Sequence, residues 1–372
     1  MKKILLVYGS AGGGHKSTAY AIKESLEVIY GDKVKVDTVD VLSKEYGPII
    51  TSTAPAIYKT LIKSPKTWEL FYKLTDTTAG NKVLDKTVSA ISQTKVANII
   101  EKYNPDIIIS TYHFANTAIL NYLKDAEIKI PFITVVTDMV TMMPTWFNKD
   151  ADLTITPTEE ARKLGLSLGI EEDKIKVIGQ PISRKFSQEK LSKISARKKL
   201  GLDPTLPALM VMAGGEGVGP LEEIAELFED FEYPVQLILI CGKNSSLKDR
   251  LESKNWRQKV IVYGFTDKIH EIMTASDYHL AKAGPSAIFE SFACSLPLLL
   301  YAFIPGQEEG NVSFVTDEGA GLWVPTGRDI LVAVRRWIKH PDQYKAAAMA
   351  AKGMAAPDAS DQIAKTIFRF KL

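Results

Sequence analysis

The chain has almost no cysteine: Cys241 and Cys294 are the two in 372 residues. Both lie in apolar surroundings, so a disulfide scaffold is excluded and buried thiols in a reducing compartment are expected. Histidine is scarce as well. His15, His113, His270, His279 and His340 show no metal-ligand spacing. Charge of one sign is missing too, since 46 Lys and Arg against 44 Asp and Glu leave a net +2, and nothing global points to nucleic acid. No stretch approaches eighteen uninterrupted apolar residues, so no transmembrane helix is expected. The start MKKILLVYG imitates a signal peptide for a few residues before glycine interrupts it. The expectation is a cytoplasmic protein, or one that lies on a membrane without crossing it. What remains is an ordinary globular composition, 45% hydrophobic and 24% charged, long enough for two or three domains.

The most informative stretch is ILLVYGSAGGGHKSTA, residues 4–19. Ile4 to Tyr8 read as a buried strand. Ala19, Ile22, Leu26 and Ile29 share one side of a following helix. Between them, Gly12, Gly13 and Gly14 let a ligand approach the backbone, and the helix start offers free N–H groups to a polar or anionic group. His15 stands at that mouth. The spacing is neither G-x-G-x-x-G nor a P-loop, because His15 interrupts the glycines ahead of Lys16-Ser17.

Further along, strands alternate with helices. Val34 to Val39, Ile107 to Ser110, Phe132 to Val136, Leu153 to Thr156 and Ile175 to Ile178 read as strands, with Thr111 to Phe114 and Thr137-Asp138 at carboxyl ends, the edge where open α/β sheets bind ligands. Gly179 to Ile182 break the pattern and mark a hinge. Strands then recur at Ala208 to Ala213, Val235 to Cys241, Val260 to Val262, Tyr278 to Ala281 and Leu298 to Ala302. Each ends in a small or polar loop, and regular alternation implies parallel sheets. Five such loops on one edge describe a site that holds a nucleotide mainly through backbone groups. Residues 50–90 differ: Tyr58, Trp68, Phe71 and Tyr72 are interleaved with Lys59, Lys63, Lys66, Lys73, Lys82 and Lys86. Aromatic anchors among lysines suit an anionic membrane surface or a lid over an apolar substrate.

The stretches GSAGGGHKSTA (9–19), TDMVTMMPTWF (137–147), GGEGVGP (214–220), CGKN (241–244), GF (264–265), KAGPSAIFES (282–291) and PGQEEGN (305–311) resemble the monogalactosyldiacylglycerol synthases and the bacterial processive diacylglycerol glucosyltransferases. The resemblance spans nearly the whole chain. It implies an α/β protein of the GT-B fold, with two Rossmann-like domains whose parallel sheets face each other across a cleft. The expected parts are an acceptor and membrane-docking domain at 1–182, a UDP-sugar domain at 183–360 and a helix at 361–372 that crosses back. It implies an inverting glycosyltransferase that moves glucose or galactose from a UDP-sugar to diacylglycerol, peripheral to the inner face of a membrane, with residues 50–90 as the docking region.

Carried onto this sequence, the resemblance implies that Glu290 holds the ribose hydroxyls and that Gly284, Pro285, Ser286 and Ala287 wrap the diphosphate. Gly264 and Phe265 border the uracil. Gly214, Gly215, Glu216 and Asn244 belong to the donor side, and Gln307 and Glu308 touch the transferred sugar. Gly13, Gly14 and His15 face the anomeric carbon from the acceptor side. His15 is the favoured base by its accessible pKa, and Asp138 is either the alternative base or its orienting partner. No Asp-x-Asp pair stands at a plausible strand end, and a helix start can supply the positive field, so neither a catalytic metal nor a cofactor is expected. Where the family usually carries His-Pro-x-Trp, this chain reads Met143-Pro144-Thr145-Trp146. That departure keeps a different lipid acceptor open. A non-catalytic UDP-sugar sensor is the reading from another class, opposed by the intact His15, Glu290 and Gln307-Glu308.

Overall fold

A computed structural model describes residues 1–10, 13–43, 93–188, 191–215, 217 and 219–371. The lysine-rich stretch 50–90, Gly12 and Glu216 lie outside the described residues. The chain divides into two compact units: Met1–Arg184 with Ile304–Gly310 and Asp358–Leu372, and Lys185–Phe303 with Asn311–Pro357.

The first unit is built on a sheet of six described strands: β1 (Lys2–Tyr8), β2 (Val34–Asp40), β3 (Ile107–Ser110), β4 (Phe132–Val135), β5 (Leu153–Thr156) and β6 (Ile175–Val177). Their order is β2-β1-β3-β4-β5-β6, and all pairs are parallel. Strand β1 shows why its sequence is apolar without a break. Ile4 and Leu6 pack on one face with Ile22 and Leu26 of helix α1 (Gly14–Tyr30), while Leu5 and Val7 pack on the other with Ile119 and Leu123 of helix α2 (His113–Asp125). A parallel strand covered on both faces has no solvent side to alternate with.

The chain end returns to this unit. A last helix (Ala359–Arg369) lies against α1, with Ile363 and Ile367 in the same core as Ile4 and Phe368 stacked on Tyr30 at 3.8 Å. Lys2 donates through Nζ to the carbonyls of Ile367, Phe368 and Phe370, each at 3.1 Å, placing a cation at a helix C-terminus. Arg184 holds Asp361 with two bonds, at 2.8 and 3.1 Å.

The second unit carries β7 (Ala208–Met212), β8 (Gln236–Ile240), β9 (Lys259–Tyr263), β10 (Tyr278–Lys282), β11 (Leu298–Ala302) and β12 (Gly321–Trp323) in the order β12-β11-β10-β7-β8-β9, again all parallel. This is the doubly wound Rossmann order, which reverses direction between β7 and β10. Strand β12 and the helix Glu309–Asp317 go beyond the sequence reading. Both are short, and neither shows the apolar period of its type. Cys241 is buried, as expected, but Cys294 is only partly so, with Sγ 3.9 Å from Thr274 Oγ1.

Candidate active site

In each unit the sheet predicts where a ligand binds: outside the carboxyl ends of the strands where the order reverses. In the first unit those strands are β1 and β3. Gly9 follows β1, and a Cβ there would lie 2.8 Å from the Tyr112 ring, so only glycine lets the two strand ends close up. Helix α1 begins at Gly14 with Gly13 as a cap that has no side chain to offer. His15 therefore stands in the first turn. Its Nδ1 lies 2.8 Å from the carbonyl of Thr111, at the end of β3, and 3.0 Å from Thr137 Oγ1. A carbonyl only accepts, so Nδ1 carries the proton and Nε2 keeps its lone pair. Thr111 returns a bond from Oγ1 to the His15 carbonyl at 3.1 Å.

Around this imidazole the loop after β4 brings Asp138. Its carboxylate is 5% exposed, with Oδ2 accepting from Trp146 Nε1 at 2.7 Å and Oδ1 from Gln307 Nε2 at 3.1 Å. Trp146 is fully buried and lies 5.9 Å, centre to centre, from the His15 ring and 4.9 Å from the His113 ring. His113, at the start of α2, bonds Thr145 Oγ1 through Nδ1 at 2.6 Å. Burial pushes the His15 imidazole below its ordinary value, opposed by the Asp138 charge and the Thr111 carbonyl. Burial raises the Asp138 carboxyl, opposed by His15 and by the Trp146 and Gln307 donors. His113 is held well below its usual value by burial and by the neighbouring His15. Near neutral pH, His15 is thus a neutral imidazole beside a carboxyl that would stabilise its protonated form, the arrangement a general base requires.

In the second unit the reversal lies between β7 and β10, and there the site is mostly backbone. The loops after β7 and β8 are laced together. Lys243 donates its N–H to the Gly215 carbonyl at 3.1 Å, and Asn244 Nδ2 donates to the Gly217 carbonyl at 3.1 Å. Gly217 has φ +68° and would place a Cβ 2.0 Å from the Cys241 carbonyl; Gly242 has φ +56° and would strike the Gly215 carbonyl at 2.5 Å. No other residue fits either position. Gly13 and Gly215 differ, because no described atom lies within 4 Å of where a Cβ would stand. After β10, Gly284 caps helix α3 (Pro285–Ala293) without a side chain, and proline at the first position has no N–H. The N–H groups of Ser286 and Ala287 then remain without helical acceptors. One turn on, Glu290 is half-buried, and burial pushes its carboxyl up to about 8.

The structure brings His15, Asp138 and Gln307 together in the first unit, and gathers Gly214, Gly215 and Asn244 in one pair of loops in the second. Asn244 also caps the helix Ser245–Glu252, with Oδ1 accepting from the Leu247 N–H at 3.0 Å. Phe265, after β9, is 74% exposed beside Gly264. Glu308 turns onto its own loop, accepting the Ile304 N–H at 2.8 Å. Sequence reasoning sets His113 at the ligand edge without a role, and gives no sign of the bond from Trp146 to Asp138. His113 was visible at a strand end, but its proximity to Trp146 depends on the 144–146 turn, which no local pattern announces.

Two family models match the chain: Monogalactosyldiacylglycerol (MGDG) synthase over residues 15–182 and Glycosyltransferase family 28 C-terminal domain over 209–363. A probable monogalactosyldiacylglycerol synthase 2, chloroplastic, of Oryza sativa subsp. japonica is 35% identical over 380 residues, covering 100% of this chain and 81% of that protein. Monogalactosyldiacylglycerol synthase 2, chloroplastic, of Arabidopsis thaliana is 33% identical over 376 residues, covering 98% and 80%. The crystal structure of Acinetobacter baumannii MurG shares the fold, with a TM-score of 0.63 at 12% identity and complete coverage of both chains. The two doubly wound sheets are those of the GT-B fold, and the two family models together define the class as a UDP-sugar-dependent glycosyltransferase. Within that class, the chain belongs to the monogalactosyldiacylglycerol synthase family.

Proposed function

We propose that this protein transfers a hexose, glucose or galactose, from its UDP-sugar to diacylglycerol, with inversion in a single displacement. The observation that carries the reading is the His15 imidazole, fixed by the Thr111 carbonyl so that Nε2 keeps its lone pair. The acceptor hydroxyl attacks the anomeric carbon and gives its proton to His15 Nε2. The bond from that carbon to the diphosphate oxygen breaks, and UDP leaves with the electron pair. Asp138 stabilises the imidazolium so formed. We assign it the partner's role, because it is 5% exposed and donors from Trp146 and Gln307 hold its carboxylate in place.

On the donor side, the N–H groups of Ser286 and Ala287 face the charge that develops on the diphosphate. Glu290, one turn further, accepts from the two ribose hydroxyls. Gly13 and Gly215 are compatible with the reading: among the described residues no atom stands within 4 Å of where a Cβ would lie, so both leave the main chain open to a ligand. The acceptor is met at the inner face of a membrane. Residues 50–90, with their aromatics among lysines, dock on anionic lipid; no described helix is long and apolar enough to cross a bilayer.

A second reading keeps the donor and changes the lipid. It rests on Met143, buried where the family usually carries histidine. The test is a transfer assay on anionic liposomes containing diacylglycerol, with labelled UDP-glucose and UDP-galactose offered separately in EDTA. A glycolipid from one sugar supports the proposal. UDP binding without any diacylglycerol product shifts support to the second reading.

A further inference from the structure

We infer that Gln307 is a positioning residue for the Asp138–His15 pair as well as a contact for the transferred sugar, so that donor recognition and the strength of the base pass through one side chain. The inference rests on the reading of His15 as base. Asp138 has two oxygens and two donors: Trp146 takes Oδ2 and Gln307 takes Oδ1. A carboxylate accepts only, so the Gln307 amide nitrogen must face it. That amide keeps a second N–H and its Oε1, which the bond to Asp138 does not use. A sugar hydroxyl can be held by the same group that holds the carboxylate.

The loop that carries Gln307 is seated for this task. Residues 304–310 belong to the first unit. Gly310 donates its N–H to Thr141 Oγ1 at 3.1 Å, three residues beyond Asp138. A Cβ on Gly310 would stand 2.6 Å from that Oγ1 and 2.7 Å from Val140 Cγ1, so close approach, not backbone angle, demands glycine. The N–H groups of Gln307 and Glu308 both reach the Ile304 carbonyl, at 3.2 and 2.9 Å, and Glu308 Oε2 accepts from the Ile304 N–H. The loop is thus closed on itself, and Gln307 is the side chain it extends to Asp138.

The titratable groups about Asp138 are His15 on α1 and, behind His15, His113 on α2; Glu308 and Glu309 share the loop with Gln307. A donor to Asp138 favours its charged form and shields that charge from His15. Without the donor, the less shielded Asp138 carboxylate draws a proton to His15 more strongly, so the imidazole takes up its proton at higher pH.

The experiment follows the His15 ring by NMR against pH, alongside the acid limb of kcat/KM for UDP-hexose. Wild type, Gln307→Leu and the near-isosteric Gln307→Glu are compared, the last guarding against misfolding of the first. In Gln307→Leu the His15 midpoint and the acid limb move up together by about half a pH unit or more. In Gln307→Glu, where two carboxyls meet, they move further. In an Asp138→Asn background Gln307→Leu moves the midpoint no further. A uniform loss of kcat/KM at every pH, with the His15 midpoint unmoved, overturns the inference and leaves Gln307 a sugar contact alone. The NMR midpoint needs no lipid product, so failure of the proposed transfer and failure of this inference are read separately.

Discussion

The two units solve opposite problems with the same sheet. At its reversal point the first gathers side chains: His15, Asp138, Trp146, His113 and Gln307, most of them buried and several titratable. At its own reversal point the second gathers main chain: Gly214, Gly215, Gly217, Gly242 and the uncapped start of α3, with Glu290 a carboxyl that burial pushes up to about 8. Under the proposed reading, the difference follows from the chemistry each serves. A diphosphate is a fixed charge that oriented N–H groups can hold without reorganising. A proton in transit needs a group that changes charge, and such a group must be tuned by neighbours.

The contrast can be broken by substitution, and the largest effect is expected at the base. His15→Ala should lower the transfer rate by about 10²- to 10⁴-fold while leaving UDP affinity nearly unchanged, as read by single-turnover kinetics and calorimetry. A parallel loss of UDP binding would dissolve the division of labour.

Next in size are the glycines. Gly217→Ala must place a side chain at φ +68° against the Cys241 carbonyl, and should cost about 2–4 kcal/mol of stability in a denaturation series. Gly215→Ala should leave the melting curve in place and weaken UDP instead. If both variants unfold alike, the glycine loop is a structural turn and nothing more.

Glu290 gives a pH signature peculiar to the second unit. Burial pushes its carboxyl up to about 8, and under the proposed reading it must ionise to take two ribose bonds. UDP affinity should therefore rise with pH from 6 towards 8 and level off above. Glu290→Gln should bind UDP about 10-fold more weakly, and without that slope. A slope that survives the substitution would move its origin elsewhere.

The smallest change is expected from Trp146→Phe. It removes the indole donor to Asp138 and keeps most of the buried ring. The acid limb of transfer should shift upward by about half a unit, with UDP affinity constant. An unshifted limb would make Trp146 a packing residue.

The second unit's loops were legible in the sequence for the reason that they are made of backbone. Glycine must appear where main chain approaches main chain, and it marks Gly217 and Gly242 in the linear text. The first unit was legible only in part. His15 stands beside a glycine run and Asp138 ends a strand, so both were found. The role of Trp146 is not legible in the sequence, because an indole's partner lies wherever the fold brings an acceptor. Gln307 was placed on the sugar, with no sign that its loop closes over Thr141 and Asp138. That pairing joins positions 169 residues apart, which no local period can encode. The helix from Glu309 was missed because it starts inside a Gly- and Glu-rich motif, where punctuation masks the helical pattern.

The central claim is a single displacement assisted by a base on the acceptor side. The most direct measurement is the anomeric configuration of the glycolipid formed from an α-linked UDP-hexose on diacylglycerol liposomes, read from the anomeric proton coupling by NMR. The account predicts a β-linked product. An α-linked product would contradict it, because retention requires a route that the His15 imidazole, as placed here, does not supply.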